Sequence, residues 1–363
     1  MTIQIRRVYP LIRLTTALAL MTLGCSAMWA GAIVLEPIAN EFNTGRGNSS
    51  LIYGTFMIGF ALGGVFMGRL ADRMGIMIPD ISHWFSRRRG LAVGIAFSGS
   101  YVAGAIWPPI LQRMFDAQGW RESFIDLAML TLIFMALLSL ILYPKPTANK
   151  HLPNAGSANS NLTKSSISAG TLQGLICLAG FGCCVAMAMP QIHIVPYVMD
   201  LGHPAIRGAE MLGLMLGFGV ISRISSGWLS DRIGGLQTLL LGSTLQLIVL
   251  IAFFAGNSLI FLYGISIAFG LSQGGIVPSY TIILRGFFPP GEAGWRISTS
   301  FLFTIAGMAF GGWIAGLLYD LTGSYTVSFI NAIGFNILNL WIAAGLLQKT
   351  RTSRTDAATT TTN

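Results

Sequence analysis

The sequence predicts an all-α polytopic membrane protein of about ten spanning helices, four in a first half and six in a second. Its composition is the first observation. Of 363 residues 53% are hydrophobic and 10% charged, with a mean hydropathy of +0.67, more apolar surface than one soluble core can hide. The second is an eight-residue pattern that occurs twice, as Gly68-Arg69-Leu70-Ala71-Asp72-Arg73-Met74-Gly75 and as Gly227-Trp228-Leu229-Ser230-Asp231-Arg232-Ile233-Gly234, each time closing an apolar run long enough to cross a bilayer. The chain is therefore built from two related halves. The third is an offset. The two copies lie 159 residues apart (227 − 68), whereas Asp116-x-x-Gly119 and Asp320-x-x-Gly323 lie 204 apart (320 − 116). The first half is thus shorter by 45 residues (204 − 159), the length of about two spans.

Taken in order, the first apolar run is Leu14–Val34. Arg6 and Arg7 before it and small residues near its end mimic a cleaved leader, but its length and the following span favour an uncleaved first helix. Leu51–Gly68 is the second span and ends on the first copy of the pattern. Where two further spans are expected, Ile76–Gly90 instead holds Pro79, Asp80, His83 and Arg87 to Arg89, which cannot cross a bilayer. An even number of spans is absent, so every later helix keeps its direction. Leu91–Leu111 and Phe124–Tyr143 complete the first half.

The chain then turns polar. Residues 144–168 are rich in Pro, Lys, Asn, Ser and Gly, and read as a solvated linker. Asn161-Leu162-Thr163 within it fits a glycosylation acceptor, which a cytoplasmic placement makes an accident. Six runs follow, at Leu172–Val195, Met211–Leu229, Leu236–Ala255, Leu259–Ile282, Ser298–Leu318 and Val327–Leu347. The expected organisation is an incomplete N-terminal bundle over 1–143, the linker, a six-helix bundle over 169–349 and a disordered Thr-rich cytoplasmic tail over 350–363.

Ten spans put both termini on one side, and basic residues say which. Arg69, Arg73, Arg87 to Arg89, Lys145, Lys150, Arg232, Arg285 and Lys349 share that side, with Arg46, Arg113, Arg121 and Arg207 opposite. The asymmetry makes the shared side cytoplasmic, in a plasma (inner) membrane. The net charge of +9 is spread over many short loops, so it does not imply nucleic acid. Cys25, Cys177, Cys183 and Cys184 lie inside spans without zinc-site or disulfide-framework spacing, and read as small apolar fillers. Neither a cofactor nor a metal is implied, and no nucleotide loop or nucleophile–base pair points to an enzyme.

The doubled pattern, the segment Trp84-Phe85-Ser86-Arg87-Arg88-Arg89-Gly90 before a Gly-rich span and the polar central loop together resemble the major facilitator superfamily. The resemblance covers nearly the whole chain. It implies two helical bundles around a central cavity, rocking to open on one side at a time. Gly68 and Gly227 permit close backbone approach, and Asp72, Arg73, Asp231 and Arg232 offer charges for a breakable latch between the halves. The bland alternative is that these charges only anchor helix ends at the headgroups.

Arg223 lies deep inside its span, where an unpaired guanidinium costs at least about 2.5–3.5 kcal/mol. Gly219, Ser226 and Gly227 are its helical neighbours and leave room around it. A planar fork of donors suits a carboxylate. The segment Arg223-Ile224-Ser225-Ser226-Gly227 is similar to the eighth span of monocarboxylate transporters and oxalate/formate antiporters, which implies carboxylate binding by Arg223. Monocarboxylate transporters carry an Asp one turn earlier, where this chain has Gly219. The Lys that members of both branches use in the first or eleventh span is also missing here.

Pro190 and Pro196 are expected to disrupt the seventh superfamily span and free carbonyls, so that Gln191, His193 and Tyr197 could bind substrate. His193 could carry a co-transported proton near neutral pH, or could simply bond a freed carbonyl. Gln273 heads a weaker polar set with Ser279 and Tyr280, for which packing is the default. Glycine pairs at four-residue spacing, Gly59/Gly63, Gly90/Gly94, Gly213/Gly217 and Gly307/Gly311, suit close helix contacts. The sequence thus points to a secondary carrier of a small organic anion, a monocarboxylate, in the lipid bilayer. The shortened first half keeps a second reading open, a transport-inactive relic or scaffold.

Overall fold

A computed structural model describes residues 2–73, 95, 98–142, 168–288 and 290–360. The expectations on Ile76–Gly90, on Gly90/Gly94 and on nearly all of the linker lie outside those residues. The described chain is helical throughout. In order the helices are α1 (Thr2–Gly24), α2 (Ser26–Ile33), α3 (Leu35–Glu41), α4 (Arg46–Arg73), α5 (Gly99–Gln118), α6 (Trp120–Leu142), α7 (Ala169–Asp200), α8 (Ala205–Ile233), α9 (Gly235–Ala252), α10 (Leu259–Gln273), α11 (Ile276–Phe287), α12 (Pro290–Thr322) and α13 (Thr326–Thr360). Helices α1 to α3 form one broken span and α10 with α11 another, consistent with ten crossings. Eight of the spans are long and apolar enough to cross a membrane by hydropathy. The others are α4 and α5, and α5 carries Gln112, Arg113 and Asp116 in 20 residues.

Local rules set the helix ends. Ser168 caps α7 by accepting from the Thr171 N–H at 3.2 Å, and Ser258 caps α10 through Phe261. Gly234, the last residue of the second pattern copy, sits at φ 90°, and Gly323 of the Asp-x-x-Gly motif at φ 67°. A side chain is strained at such angles, so both motifs end on the residue that can turn the chain.

Two expectations need correcting. The tail was expected to be disordered, but the backbone of α13 continues to Thr360, since no Gly or Pro interrupts residues 346–360. And α7 runs unbroken from Ala169 to Asp200 with Pro190 and Pro196 inside it. Each proline forfeits one backbone hydrogen bond, which a helix gripped on all sides absorbs without unwinding.

Packing follows the two-bundle plan. Within the first half, Trp29 donates to the Ser100 carbonyl and Trp107 to that of Thr22, tying α1 and α2 to α5. Glu41, beyond the apolar stretch Leu11–Ile33 of the first span, accepts from Arg121 at 2.6 Å and Trp120 at 2.7 Å. The Arg121 hydrogen bond, with that of Trp120, holds the exposed Glu41 carboxyl below its ordinary range. In the second half α7 is the hub, packed by α12, α13 and α8. The halves meet where α4 lies against α12 and α5 against α8.

That meeting is concentrated at one end, called here the distal end, away from the duplicated pattern. Residues 182–196 of α7 are buried on every side. On α8 the face that is buried near Met211 and Leu216 gives way to exposed Ile221, Ile224 and Trp228 toward the pattern end. The four cysteines are buried and unbridged, in keeping with filler roles.

Candidate functional site

The site begins where α10 stops. Gly274 and Gly275 interrupt the span between α10 and α11, and α8 is pressed against the interruption. A Cβ on Gly274 would strike the Gly219 carbonyl and, at 2.8 Å, the Arg223 backbone nitrogen, and one on Gly275 would strike Ser226. The interruption leaves the Gly274 carbonyl outside the helical ladder. Arg223 Nε donates to it at 3.4 Å.

The other face of the guanidinium belongs to the first half. Its central carbon lies 4.1 Å from the centroid of the Tyr101 ring on α5. Gly219 makes this possible, because a Cβ there would meet that ring at 2.6 Å. The room that Gly219 leaves is thus filled by Tyr101. Arg223 itself is half-buried. One cation therefore bridges the halves, stacked on an aromatic from one and hydrogen-bonded to backbone of the other.

Next to Gly274, Gln273 is fully buried and its amide bonds that of Gln191 on α7. The bond engages one atom of each side chain, and Gln191 Oε1 and Gln273 Nε2 have no partner among the described residues. Tyr280 donates to Asn339 at 2.8 Å, and Asn339 to Ser243, so that part of the polar set ties α11, α13 and α9 together. Ser279 bonds back to Gly275. Tyr53 on α4 is also fully buried, with a hydroxyl that has no partner among the described residues and with Cys184 and Tyr101 as electrostatic neighbours.

The structure thus gathers Arg223, Gln273 and Gln191 around the interruption. It does not bring His193 and Tyr197 there. His193 is fully buried nearer the distal end, where Nε2 lies 2.8 Å from the Gly312 carbonyl of α12 and Nδ1 3.0 Å from the Tyr325 hydroxyl. Tyr197 packs edge-on to Tyr325 and Phe329, and its hydroxyl donates to Asn257 at 3.4 Å.

At the pattern end, Asp231 and Arg232 are exposed, and the Arg232 guanidinium lies 3.9 Å from the Trp228 centroid. A Cβ on Gly227 would meet nothing within 4 Å among the described residues, so the close approach foreseen there is not made in this conformation. The surroundings of Gly68 and the side chains of Asp72 and Arg73 are outside what the structure describes.

Sequence reasoning missed the network that closes the distal end. Arg46, first residue of α4, donates through both terminal nitrogens to Asp200 of α7, at 2.6 and 2.7 Å, and pairs with Glu36 of α3 at 3.2 Å. Its guanidinium carbon lies 4.1 Å from the Tyr319 ring centroid, and NH1 also donates to the Tyr325 hydroxyl at 3.3 Å. In the sequence Arg46 counts only among the outer basic residues, and Asp320 only as a landmark of duplication. The available signal was that both charges sit at span ends with opposite sign.

Comparison with known proteins bears on this arrangement. Residues 76–258 and 220–362 match the family model described as Major Facilitator Superfamily. Among curated relatives, monocarboxylate transporter 13 of Bos taurus is 25% identical over 257 residues, covering 70% of this chain and 59% of its own length. Monocarboxylate transporter 11 of Homo sapiens is 27% identical over 282 residues, covering 74% and 59%. The chain therefore spans about three fifths of the length of these relatives. Among solved structures, an inward-facing bacterial homologue of the human lysosomal transporter Spinster superposes with a TM-score of 0.61 at 14% identity, covering 96% of this chain and 98% of the other. A POT family transporter in complex with 5-aminolevulinic acid gives 0.63 at 12% identity, covering 94% and 96%. At those identities the likeness shows the fold.

Proposed function

The chain belongs to the major facilitator superfamily, and from that premise we propose that it is a secondary transporter that moves a small organic anion, a monocarboxylate, by alternating access. The observation that carries this reading is Arg223, held between Tyr101 of one half and the Gly274 carbonyl of the other. A carboxylate can displace the weak 3.4 Å carbonyl contact and take two parallel hydrogen bonds from the fork. Both halves then grip one cargo, which is what couples binding to rocking. Gln191 and Gln273 offer one spare acceptor and one spare donor beside it. The sequence relatives that carry monocarboxylate transporter names support the cargo class.

In this reading the protein is integral to the plasma (inner) membrane with both termini cytoplasmic. The conformation is closed at the distal, outer end. Gly227, Asp231 and Arg232 form a breakable latch with Gly68, Asp72 and Arg73 when the cytoplasmic end closes in turn.

A second reading rests on the 45-residue deficit of the first half. The two missing spans would leave one wall of the cargo site open, and the chain would then be a transport-inactive relic or scaffold. Uptake by proteoliposomes offered labelled lactate, formate and oxalate separates the readings. The carrier reading expects uptake that Arg223→Ala abolishes. Uptake indifferent to Arg223 removes the carboxylate reading, and uptake only after two spans are restored supports the relic.

A further inference from the structure

We propose that His193 is a proton-binding site whose protonation unlocks the distal end of the bundle by turning the Tyr325 hydroxyl against Arg46. The inference rests on the transport reading only in giving the unlocking a use.

The hydrogen-bond directions are fixed by what each group can do. The Gly312 carbonyl only accepts, so His193 Nε2, 2.8 Å away, carries the ring proton. Nδ1 of the neutral ring is then an acceptor, and the Tyr325 hydroxyl, 3.0 Å away, donates to it. The Tyr325 oxygen is left to accept from Arg46 NH1 at 3.3 Å. A single directed chain therefore runs from Arg46 through Tyr325 and His193 to Gly312. It crosses from the first half to the second, and Arg46 is also the residue that clamps Asp200.

A second ring proton does not fit this chain. On Nδ1 it must point at the Tyr325 oxygen, whose own proton then has to swing away into buried surroundings. The new positive charge also faces Arg46, with Asp320 the acid within electrostatic reach of the ring. The groups around the ring are Tyr325 and Gly312 of the second half and Ser50 of α4, 3.5 Å from Nε2, with Tyr197 a turn ahead on α7. Asp200 and Glu36 are already engaged by Arg46. Ser50 donates to the Arg46 carbonyl at 2.6 Å. Among the described residues, therefore, no carboxylate stands in hydrogen-bond contact with the ring to receive the charge.

When the distal end opens, water reaches His193 and the proton is accommodated. Proton uptake accompanies opening, so acid favours the open form. A single proton can shift the ratio of open to closed by at most about tenfold per pH unit, over the range around the ordinary imidazole value of about 6.5.

The test uses the full chain in lipid nanodiscs, with spin labels on cysteines placed at exposed Ala117 and Ala255, at the distal ends of the two halves. The four native cysteines are buried. The distance between the labels is measured at about pH 8 and about pH 5, either side of the imidazole range. The open population of the wild type is expected to rise several-fold on acidification. His193→Gln keeps one donor and one acceptor but takes no proton, and its distribution is expected to be flat with pH. Tyr325→Phe breaks the link to Arg46, and is expected to be more open than wild type at about pH 8 and to respond weakly to acid. A wild type without acid response overturns the proposal, as does a full response in His193→Gln or Tyr325→Phe. The distance needs no cargo. Failed lactate uptake with an intact acid response would sink the carboxylate reading and leave this one standing.

Discussion

Asp320, at the end of one half, accepts a hydrogen bond at 2.8 Å from the backbone N–H of Arg46, the first residue of a helix in the other half. Its second oxygen takes the Gly47 N–H at 2.7 Å. One carboxylate thus caps α4 from across the interface, where the unpaired N–H groups and the helix dipole both favour negative charge. The approach depends on small residues, since a Cβ on Gly316 would meet the Arg46 carbonyl at 2.6 Å and one on Gly47 the Leu317 backbone at 3.0 Å. Because the cap spans the halves, it stabilises the closed distal end and not either bundle alone.

Removing this cap should therefore open the distal end. Asp320→Ala is expected to cost the closed state about 0.5–2 kcal/mol, the range for a lost helix cap. Asp320→Asn keeps an acceptor but loses the charge, and should cost less, about 0.3–1 kcal/mol. The spin-label distance between positions 117 and 255 reads both. An open population in Asp320→Ala no larger than in the wild type would show that the cap plays no part in closure.

The sequence made the fold legible and the site only in part. Spans such as Leu172–Val195 and Val327–Leu347 were visible because uninterrupted apolar stretches of bilayer length have few other uses. The doubled pattern revealed the halves. Arg223 stood out because a charge in such a stretch is expensive. Tyr101 did not, because an aromatic in a span is ordinary and only the fold sets it under that guanidinium. The prolines of α7 misled, since local chemistry argued for a break that tertiary packing overrode. The interruption at Gly274–Gly275 passed unnoticed, although Pro278 lacks the N–H that would bond the Gly274 carbonyl four residues earlier.

Glycine spacing in the sequence did not distinguish packed positions from bare ones, and the structure does. A Cβ on Gly311 would come within 2.7 Å of the Val185 backbone on α7, and one on Gly307 would strike the Phe181 carbonyl. Gly59 would meet nothing within 4 Å among the described residues. Gly311→Ala should lower stability by about 1–3 kcal/mol, as overpacking against backbone does. Gly59→Ala should be neutral or slightly stabilising through helix propensity. Thermal unfolding in detergent checks the pair, and equal melting temperatures for the two variants would contradict this assignment of contacts.

The cargo site makes separate demands on charge and on shape. Arg223→Lys keeps the charge but replaces a planar fork with a point charge, so uptake of a labelled monocarboxylate should fall at least tenfold, about 1.4 kcal/mol at the half-saturating concentration. Tyr101→Phe keeps the ring beneath the guanidinium but loses the hydroxyl that also bonds Arg223, and should retain more of the uptake than Tyr101→Leu. Tyr101→Leu removes the cation–π contact, worth about 0.5–2 kcal/mol, and lets Arg223 swing off axis. Concentration-dependent uptake in proteoliposomes separates the three. If Lys serves as well as Arg, two-point recognition of the carboxylate is wrong.

The buried amides of Gln191 and Gln273 decide whether that region is built for packing or for cargo. Each amide satisfies one atom of the other and leaves one of its own without a partner among the described residues. An unpaired polar atom of this kind costs about 1–3 kcal/mol when buried. A pair whose purpose was structural would be improved by replacing both side chains with apolar ones of similar size. Gln191→Leu with Gln273→Leu is therefore expected to raise the melting temperature while lowering monocarboxylate uptake. Either single variant orphans its partner completely and should melt below the double. That non-additivity is the signature of two groups in direct contact. A double variant that is stabilised and transports normally would assign the amides to packing, and would confine the cargo site to Arg223 and its aromatic floor.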